Sequence, residues 1–354
     1  MEEEPSGLRE QRMEAKTITR ERTEIERRID IIEEDIAKID VRLLKLLLQD
    51  KTTKKNILWC TTDYENLGSV YDEHNQILLE AITGLFYNVI QPRAAKSKEI
   101  QEMRSKKRAE VFTPSWVCND QNNLIDDAWF GRKDVFNRPK GQTAWIATEG
   151  KIEFPEGKTW RQYVDDKRLE ITCGEAPYLV SRYDTTTGDL IPPFARVGLF
   201  DRKMRIVTEN CETDDEWMKW SMRALKSVYG YEFQGDSVLI ARENLLYDYI
   251  DYYKERFHAE PSLNLLREVA NIIAWNIWQM DGLKYVVPYS CHDEETIDRQ
   301  LSFADWDKPA ERKPCPGCAK GDIHLHNGIY CRIFDWTNKC KSIPFISLFK
   351  KEEA

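Results

Sequence analysis

The sequence predicts an α/β protein built on a parallel sheet, with an N-terminal amphipathic helical arm over residues 1–55, a sheet-bearing domain over 56–290 and a metal-binding C-terminal extension over 291–354. Three stretches predict the sheet. The segment LEITCGEAPYLVSRY, from Leu169 to Tyr183, reads as a short strand, a turn at Cys173 and Gly174, and a helix opening at Ala176 with Pro177 in its first turn, where a missing amide proton costs nothing. From Ser227 to Ile250, a strand through Tyr231 closes on Glu232, and a helix starts near Asp236 with Val238, Leu239, Ala241, Leu245, Leu246 and Tyr249 on its buried side. The run NIIAWNIWQMDGL, Asn271 to Leu283, is too aromatic for a surface helix, and its end reads as a third buried strand delivering Asp281 and Gly282. Glu170, Glu232 and Asp281 each follow an apolar run, which places three acids at the C-terminal ends of adjacent parallel strands, where open α/β sheets bind ligands.

Composition sets the outer bounds. With 354 residues, 41% of them hydrophobic and 11% aromatic, the chain has material for a sizeable core and is not a disordered protein. No apolar run approaches the roughly 20 residues that a membrane span needs, and the opening MEEEPSGLREQRMEAK is charged where a secretory signal is apolar. A cytoplasmic location without membrane partners is expected. Nine cysteines, an odd total, suit a reducing compartment rather than a disulfide framework. The net charge of -9 argues against a protein that coats nucleic acid over its whole surface. A local basic stretch remains, because Arg93, Lys96, Lys98, Arg104, Lys106, Lys107 and Arg108 face only three acids before residue 111. It reads either as a nucleic-acid contact or as a solvated helix face.

In the arm, Ile18, Ile25, Ile29, Ile32, Ile36, Ile39, Leu43 and Leu46 settle into alternating steps of four and three on a charged background, the seam of a long amphipathic helix. Such a helix packs along the body of its own chain or pairs with another subunit; the first is preferred. Residues from Pro139 to Trp160, rich in Gly, Pro and Lys, read as a surface hairpin or insertion. Glu149 and Lys151 there could be forced into the acid-x-lysine pattern of a nuclease, but no partner aspartate precedes them at a convincing spacing, so they are expected to be a solvent-exposed pair. The segment from Asp184 to Asp215 reads as an insertion with a strand at Lys203 to Thr208.

LEITCGEAPYL resembles the first nucleotide-binding motif of S-adenosylmethionine-dependent DNA amino-methyltransferases, roughly (D/E)-P-x-C-G-x-G-x-(F/Y)-L, with Glu170, Cys173, Gly174, Tyr178 and Leu179 in register. Ile171 stands where that motif has proline and Ala176 where it has a second glycine. Phe112, Thr113 and Pro114, roughly 55 residues earlier, match the F-T-P element of the adenine-N6 modification subunits of restriction-modification systems, and YGYE followed by ARENL is similar to their second motif. The resemblance spans about Glu110 to Leu283 and implies a Rossmann-like class I methyltransferase sheet. It implies that Phe112, Thr113, Pro114, Glu170, Cys173, Gly174, Glu232 and Asp281 hold S-adenosylmethionine, with Glu232 gripping the ribose hydroxyls and Asp281 accepting from the adenine amine. Double-stranded DNA would be the substrate, its adenine flipped out for direct methyl transfer, with a restriction or specificity subunit or a second methyltransferase chain as partner.

The catalytic (N/D)-P-P-(Y/F) element is missing. The tetrapeptide IPPF at Ile191 to Phe194 fails because isoleucine cannot accept a hydrogen bond from a base amine, and Val287, Pro288, Tyr289 has one proline and no acceptor before it. The chain is thus expected to be a methyltransferase-like subunit without an evident acceptor of its own. The rival reading is a non-catalytic DNA-binding or assembly subunit that uses the same fold and a zinc knuckle. That knuckle is C-P-G-C at Cys315 and Cys318, with Cys331 and, for the fourth position, His326, His324 or Cys340. His326 and Cys340 are preferred, since His324 lies between apolar Ile323 and Leu325. Four soft ligands suit structural zinc. A redox C-x-x-C is the alternative, although it normally opens a helix.

Overall fold

The computed structural model describes residues 29–108, 113–296, 311–337 and 340–349. The chain begins with α1 (Glu33–Leu48), α2 (Lys98–Arg108) and α3 (Ser115–Phe130), then the hairpin β1 (Asn137–Lys140) and β2 (Ala144–Ala147) and the short α4 (Trp160–Asp165). The central unit follows as β3 (Arg168–Ile171), α5 (Leu199–Asn210), α6 (Asp214–Lys226), β4 (Val228–Glu232), α7 (Gly235–Phe257), α8 (Leu263–Asn276) and β5 (Ile277–Gln279). The C-terminal extension has β6 (Glu294–Thr296), β7 (Glu311–Lys313), α9 (Pro316–Lys320), β8 (Arg332–Asp335) and β9 (Lys341–Pro344).

The protein is mixed α/β, and its central sheet is three-stranded and parallel, in the order β3-β4-β5. Glu170 pairs with Gly230, and Glu232 with Gln279. Alternation along β4 sends Val228 to the core formed by the helices and Tyr229 and Tyr231 to the opposite face. Ile277 and Trp278 of β5 divide the same way. On that second face Cys331, Ile333 and Phe345 of the extension cover Tyr229, Tyr231 and Trp278. Leu169 and Ile171, on the edge strand β3, continue this face but stay 42% and 64% exposed.

Local chemistry fixes the helix ends. Thr159 and Gln162 form a reciprocal capping box on α4. Thr213 caps α6, which carries Asp214, Asp215 and Glu216 in its first turn and Arg223 and Lys226 in its last, as the helix dipole favours. The last turn of α1 is closed from outside. Buried Arg242 of α7 donates to the carbonyls of Leu47, Gln49 and Ile277, tying α1 to the sheet.

Four expectations change. Ile36, Leu43, Leu44, Leu47 and Leu48 are buried in the main core, so the described part of the arm packs along its own chain. The seam nevertheless breaks at Asp40, whose φ of -164° interrupts the helix while its carboxylate binds Arg267, and Ile39 is exposed. Ile18 and Ile25 lie outside the described residues. The segment from Lys203 to Thr208 is helical, inside α5, because Leu199, Phe200, Met204 and Val207 recur at helical spacing behind an Asp201 that caps Gly198. Residues 271–276 are likewise the end of α8, leaving a strand of three residues. Finally, no helix opens at Ala176; the chain turns through positive φ at Thr172, Gly174 and Ala176.

Candidate cofactor crevice and metal centre

Glu170 of β3 stands opposite Gly230, and Glu232 closes β4 two residues further on, near enough for its charge to raise the Glu170 carboxyl. Burial raises the Glu170 carboxyl well above the ordinary range, opposed by the amides of Tyr178 and Leu179, which donate to its two oxygens at 3.4 and 3.2 Å. One turn closes on the Ala176 carbonyl, which accepts from Leu179 and Val180, but it does not propagate, because the carbonyls of Tyr178 and Leu179 accept from the amides of Leu199 and Phe200 instead. Glu232 is also raised by burial, against the amides of Gly174, Phe233 and Gln234. Gly174 donates to Glu232 at 3.0 Å with φ +51°, and a Cβ there would meet nothing within 4 Å, so its Cα side faces open space. Cys173 is buried against Gly230, where a Cβ would come within 3.1 Å of the Cys173 side chain. Burial, Glu170 and Glu232 keep this thiol protonated.

Asp281 lies two residues beyond β5. Its carboxylate accepts from the amide of Leu283 and pairs with Lys284 at 3.2 Å, so it closes the turn at Gly282. Thr113 and Pro114 approach the other side of the crevice, and the Thr113 carbonyl accepts from Thr185 and Cys118. Pro114 caps α3, and Cys118 of that helix senses the charge of Glu170. Phe112 lies outside the described residues. Beside Glu232, Phe233 packs edge-on against Tyr289, which lies 4.2 Å from His74 between ring centroids.

Three members of the basic stretch are architectural. Arg104 is buried between Asp63 and Asp236, at 2.7 and 3.0 Å, and Lys96 reaches Asp236 at 3.5 Å. Tyr64 donates to the same Asp236 carboxylate, which these cations hold far below the usual range despite burial. Arg93 is buried as well, donating to the carbonyl of Gln101 and the hydroxyl of Ser105. Of the described side chains in the stretch, Lys98 and Lys106 are exposed.

The metal-binding residues assemble differently from the spacing argument. Cys291, Cys315, Cys318 and His326 bring one ligand atom each within 4.8 Å of one another, a Cys3His group that can hold a metal ion. His326 Nδ1 stands 3.6, 3.6 and 3.7 Å from the sulfurs of Cys291, Cys315 and Cys318. A tetrahedral ion with metal–sulfur bonds of about 2.3 Å and a metal–nitrogen bond of 2.0–2.1 Å separates sulfur from nitrogen by about 3.6 Å. Although desolvation opposes ionisation, the amides of Asn327, Cys318 and Gly317 and the His326 ring bring the Cys315 thiol down to about 6. Burial and the neighbouring sulfurs push Cys291 up to about 12. Gly317 admits the imidazole, since a Cβ there would lie 2.6 Å from His326 Nδ1.

Cys331 and Cys340, expected as ligands, stand apart. Cys331 is buried under the sheet with its thiol on the Gln279 carbonyl, and exposed Cys340 bonds the Trp336 carbonyl. Their place is taken by Cys291, which lies outside the C-terminal cysteine cluster and carried no signal in the spacing. The antiparallel pair β6–β7 explains the juxtaposition: Glu294 pairs with Lys313, and the chain on either side of that rung brings Cys291 to Cys315. Cys315 does precede a short helix, α9, of five residues. Compared with family models, curated proteins and solved structures, the chain matches none.

Proposed function

We propose that this chain is an S-adenosylmethionine-binding, adenine-N6 DNA methyltransferase-like subunit of a restriction-modification system, with zinc in its Cys3His centre and no base-orienting acceptor of its own. The observation that carries the reading is the carboxyl edge of β3 and β4, where the Glu232 carboxylate accepts from Gly174, whose Cα side is open. Consecutive parallel strands joined by helices packed into one core are what one half of a doubly wound sheet requires, and its ligands lie beyond the carboxyl ends of the strands. The residues leave room for such a ligand: beside the amides of Gly174, Phe233 and Gln234, Glu232 keeps one acceptor site, on Oε2, for a ribose hydroxyl, and Gly174 allows close backbone approach. S-adenosylmethionine, when bound, supplies an electrophilic methyl group. Thr113 and Pro114 wall the site, Glu170 and Cys173 hold its loop, and Asp281 borders it. Double-stranded DNA, and a subunit bringing the missing acceptor, are the partners this reading requires. Zinc is the metal chosen by three thiolates and an imidazole at tetrahedral spacing.

A second reading, a DNA-binding or assembly subunit that keeps the fold without using the crevice, draws support from the amides already engaging Glu170 and Glu232 and from the exposed apolar edge at Leu169 and Ile171. Calorimetric titration of the purified, metal-replete chain with S-adenosylmethionine separates the two. Saturable binding that Glu232→Ala weakens at least about tenfold, consistent with loss of one charge-assisted hydrogen bond and of the anchor for the Gly174 amide, is expected; no binding by the intact chain would leave the assembly reading.

A further inference from the structure

Far from the metal centre in sequence, a cavity of about 480 Å³ opens between the β1–β2 hairpin, the turn Pro193–Ala195, α5 and α7. Its size lies within the range of small-molecule sites. The walls are apolar and aromatic, with Phe136, Trp145, Ile146, Phe194 and Tyr252 contributing rings and a branched chain. The indole of Trp145 donates to the carbonyl of Ala195 at 2.8 Å, locking the hairpin to the turn. Two consecutive prolines, Pro192 and Pro193, fix the backbone that carries Phe194, whose side chain is held at the lining while 73% exposed. A large apolar ring kept in water by a rigid turn at a cavity mouth has no part in the core.

The polar lining decides what can enter. Asp201 is committed to Ser181, Gly198 and Tyr252. Arg196 is held by Asp248 and Asp251, Arg202 by Asp126, and Arg205 by Glu209 and the carbonyls of Phe136 and Thr148. Glu209 also takes the Ile152 amide, while Asn137 is paired with Asn119. Among the charged groups of this lining two remain, Glu149 and Glu255, and neither has a hydrogen bond or ion pair with a described residue. The cavity therefore offers aromatic faces and two uncommitted carboxylates, with its cations already neutralised.

From this arrangement we infer that the cavity is a binding site for a small organic cation with a flat apolar body, its ring stacked between Trp145 and Phe194 and its ammonium or amidinium group turned toward Glu149 and Glu255. Aromatic faces attract cations and flat rings alike, whereas an anion would meet two uncommitted carboxylates and arginines already paired with acids. This site is independent of the strand-end crevice and of the metal.

The test uses the full chain and three isosteric probes, 1-naphthylmethylammonium, 1-naphthylmethanol and 1-naphthoate, titrated calorimetrically with ligand-observed NMR as a second readout. The cation should bind about tenfold or more tighter than the carboxylate, as two partly exposed carboxylates can provide. Glu149→Gln combined with Glu255→Gln should reduce that preference to about threefold or less, and Phe194→Ala should weaken the ammonium and the alcohol together. All three residues are exposed, so these variants retain the fold. Equal or tighter binding of 1-naphthoate, a preference that survives the double substitution, or no binding of any probe at millimolar concentration would overturn the assignment.

Discussion

Replacing Cys291 with serine tests the metal centre at the ligand delivered from outside the C-P-G-C turn. Three cysteine sulfurs surround His326 Nδ1 at 3.6 to 3.7 Å, so an ion at their centre has sulfur in three of four positions. In the cobalt-substituted protein, Cys291→Ser should remove about one third of the thiolate-to-metal charge-transfer intensity, one sulfur of three. Loss of a group that merely hydrogen-bonds to a metal ligand costs roughly 10–100-fold in metal affinity, so loss of this direct ligand should weaken zinc binding by more than about 100-fold in a competition assay with a chromogenic chelator. Gly317→Ala should act on the same site without touching a ligand, because its Cβ would stand 2.6 Å from His326 Nδ1 and displace the ring. Cys340→Ser, at an exposed thiol outside the group, should leave both readouts unchanged. Well under one equivalent of metal in the unaltered protein, or a Cys340→Ser effect as large as that of Cys291→Ser, would refute the geometry.

Two further outcomes follow from buried cations. Arg104→Met should destabilise the protein by about 3–5 kcal/mol in denaturant unfolding, because it leaves Asp236 and Asp63 buried with their main counter-charge removed, whereas Lys106→Ala on the exposed face should be nearly neutral. Lys203 gives a pH signature: its amine, donating to the carbonyls of Val164 and Asp166 and to Ser227, is brought down to about 7 by burial, helped by the nearby Arg168. Between about pH 7 and the unfolded value near 10.5 the unfolded chain holds the extra proton, so this residue makes stability rise with pH by up to about 1.4 kcal/mol per unit, and below about 7 its contribution is constant. Lys203→Met should flatten that slope, as thermal unfolding across pH 7–10 would measure; an unchanged slope would mean the amine titrates alike in both states.

Strand ends were legible because β3 and β4 carry their acids directly after apolar residues; β4 is buried on both faces and reads as a continuous run, while β3 is open on the face of Leu169 and Ile171. The misread elements share a cause. Over Lys203 to Thr208 a short window alternates polar and apolar residues and mimics period two; only the spacing that begins at Leu199 reveals the helix. At Ala176 the local sequence favours a helix start, but the amides of Leu199 and Phe200, about twenty residues later, take the Tyr178 and Leu179 carbonyls and stop the turn from propagating. A tertiary contact overrode a local preference.

The same limit governs charge and ligand sets. Counting seven cations in eighteen residues could not distinguish Arg104, which faces Asp236 in the core, from Lys106, which faces water, because the distinction lies in a partner far along the chain. The knuckle was legible as C-P-G-C since both thiols and the intervening glycine are local, and His326 was within reach of the same turn. Cys291 was not, because what delivers it is the β6–β7 pairing rather than spacing. A ligand supplied from across a strand pair makes the metal a tie between two segments that share no local structure, so metal loss should loosen the C-terminal extension from Cys291 onward before it disturbs the parallel sheet, whose cohesion rests on the separate core formed with α6, α7 and α8.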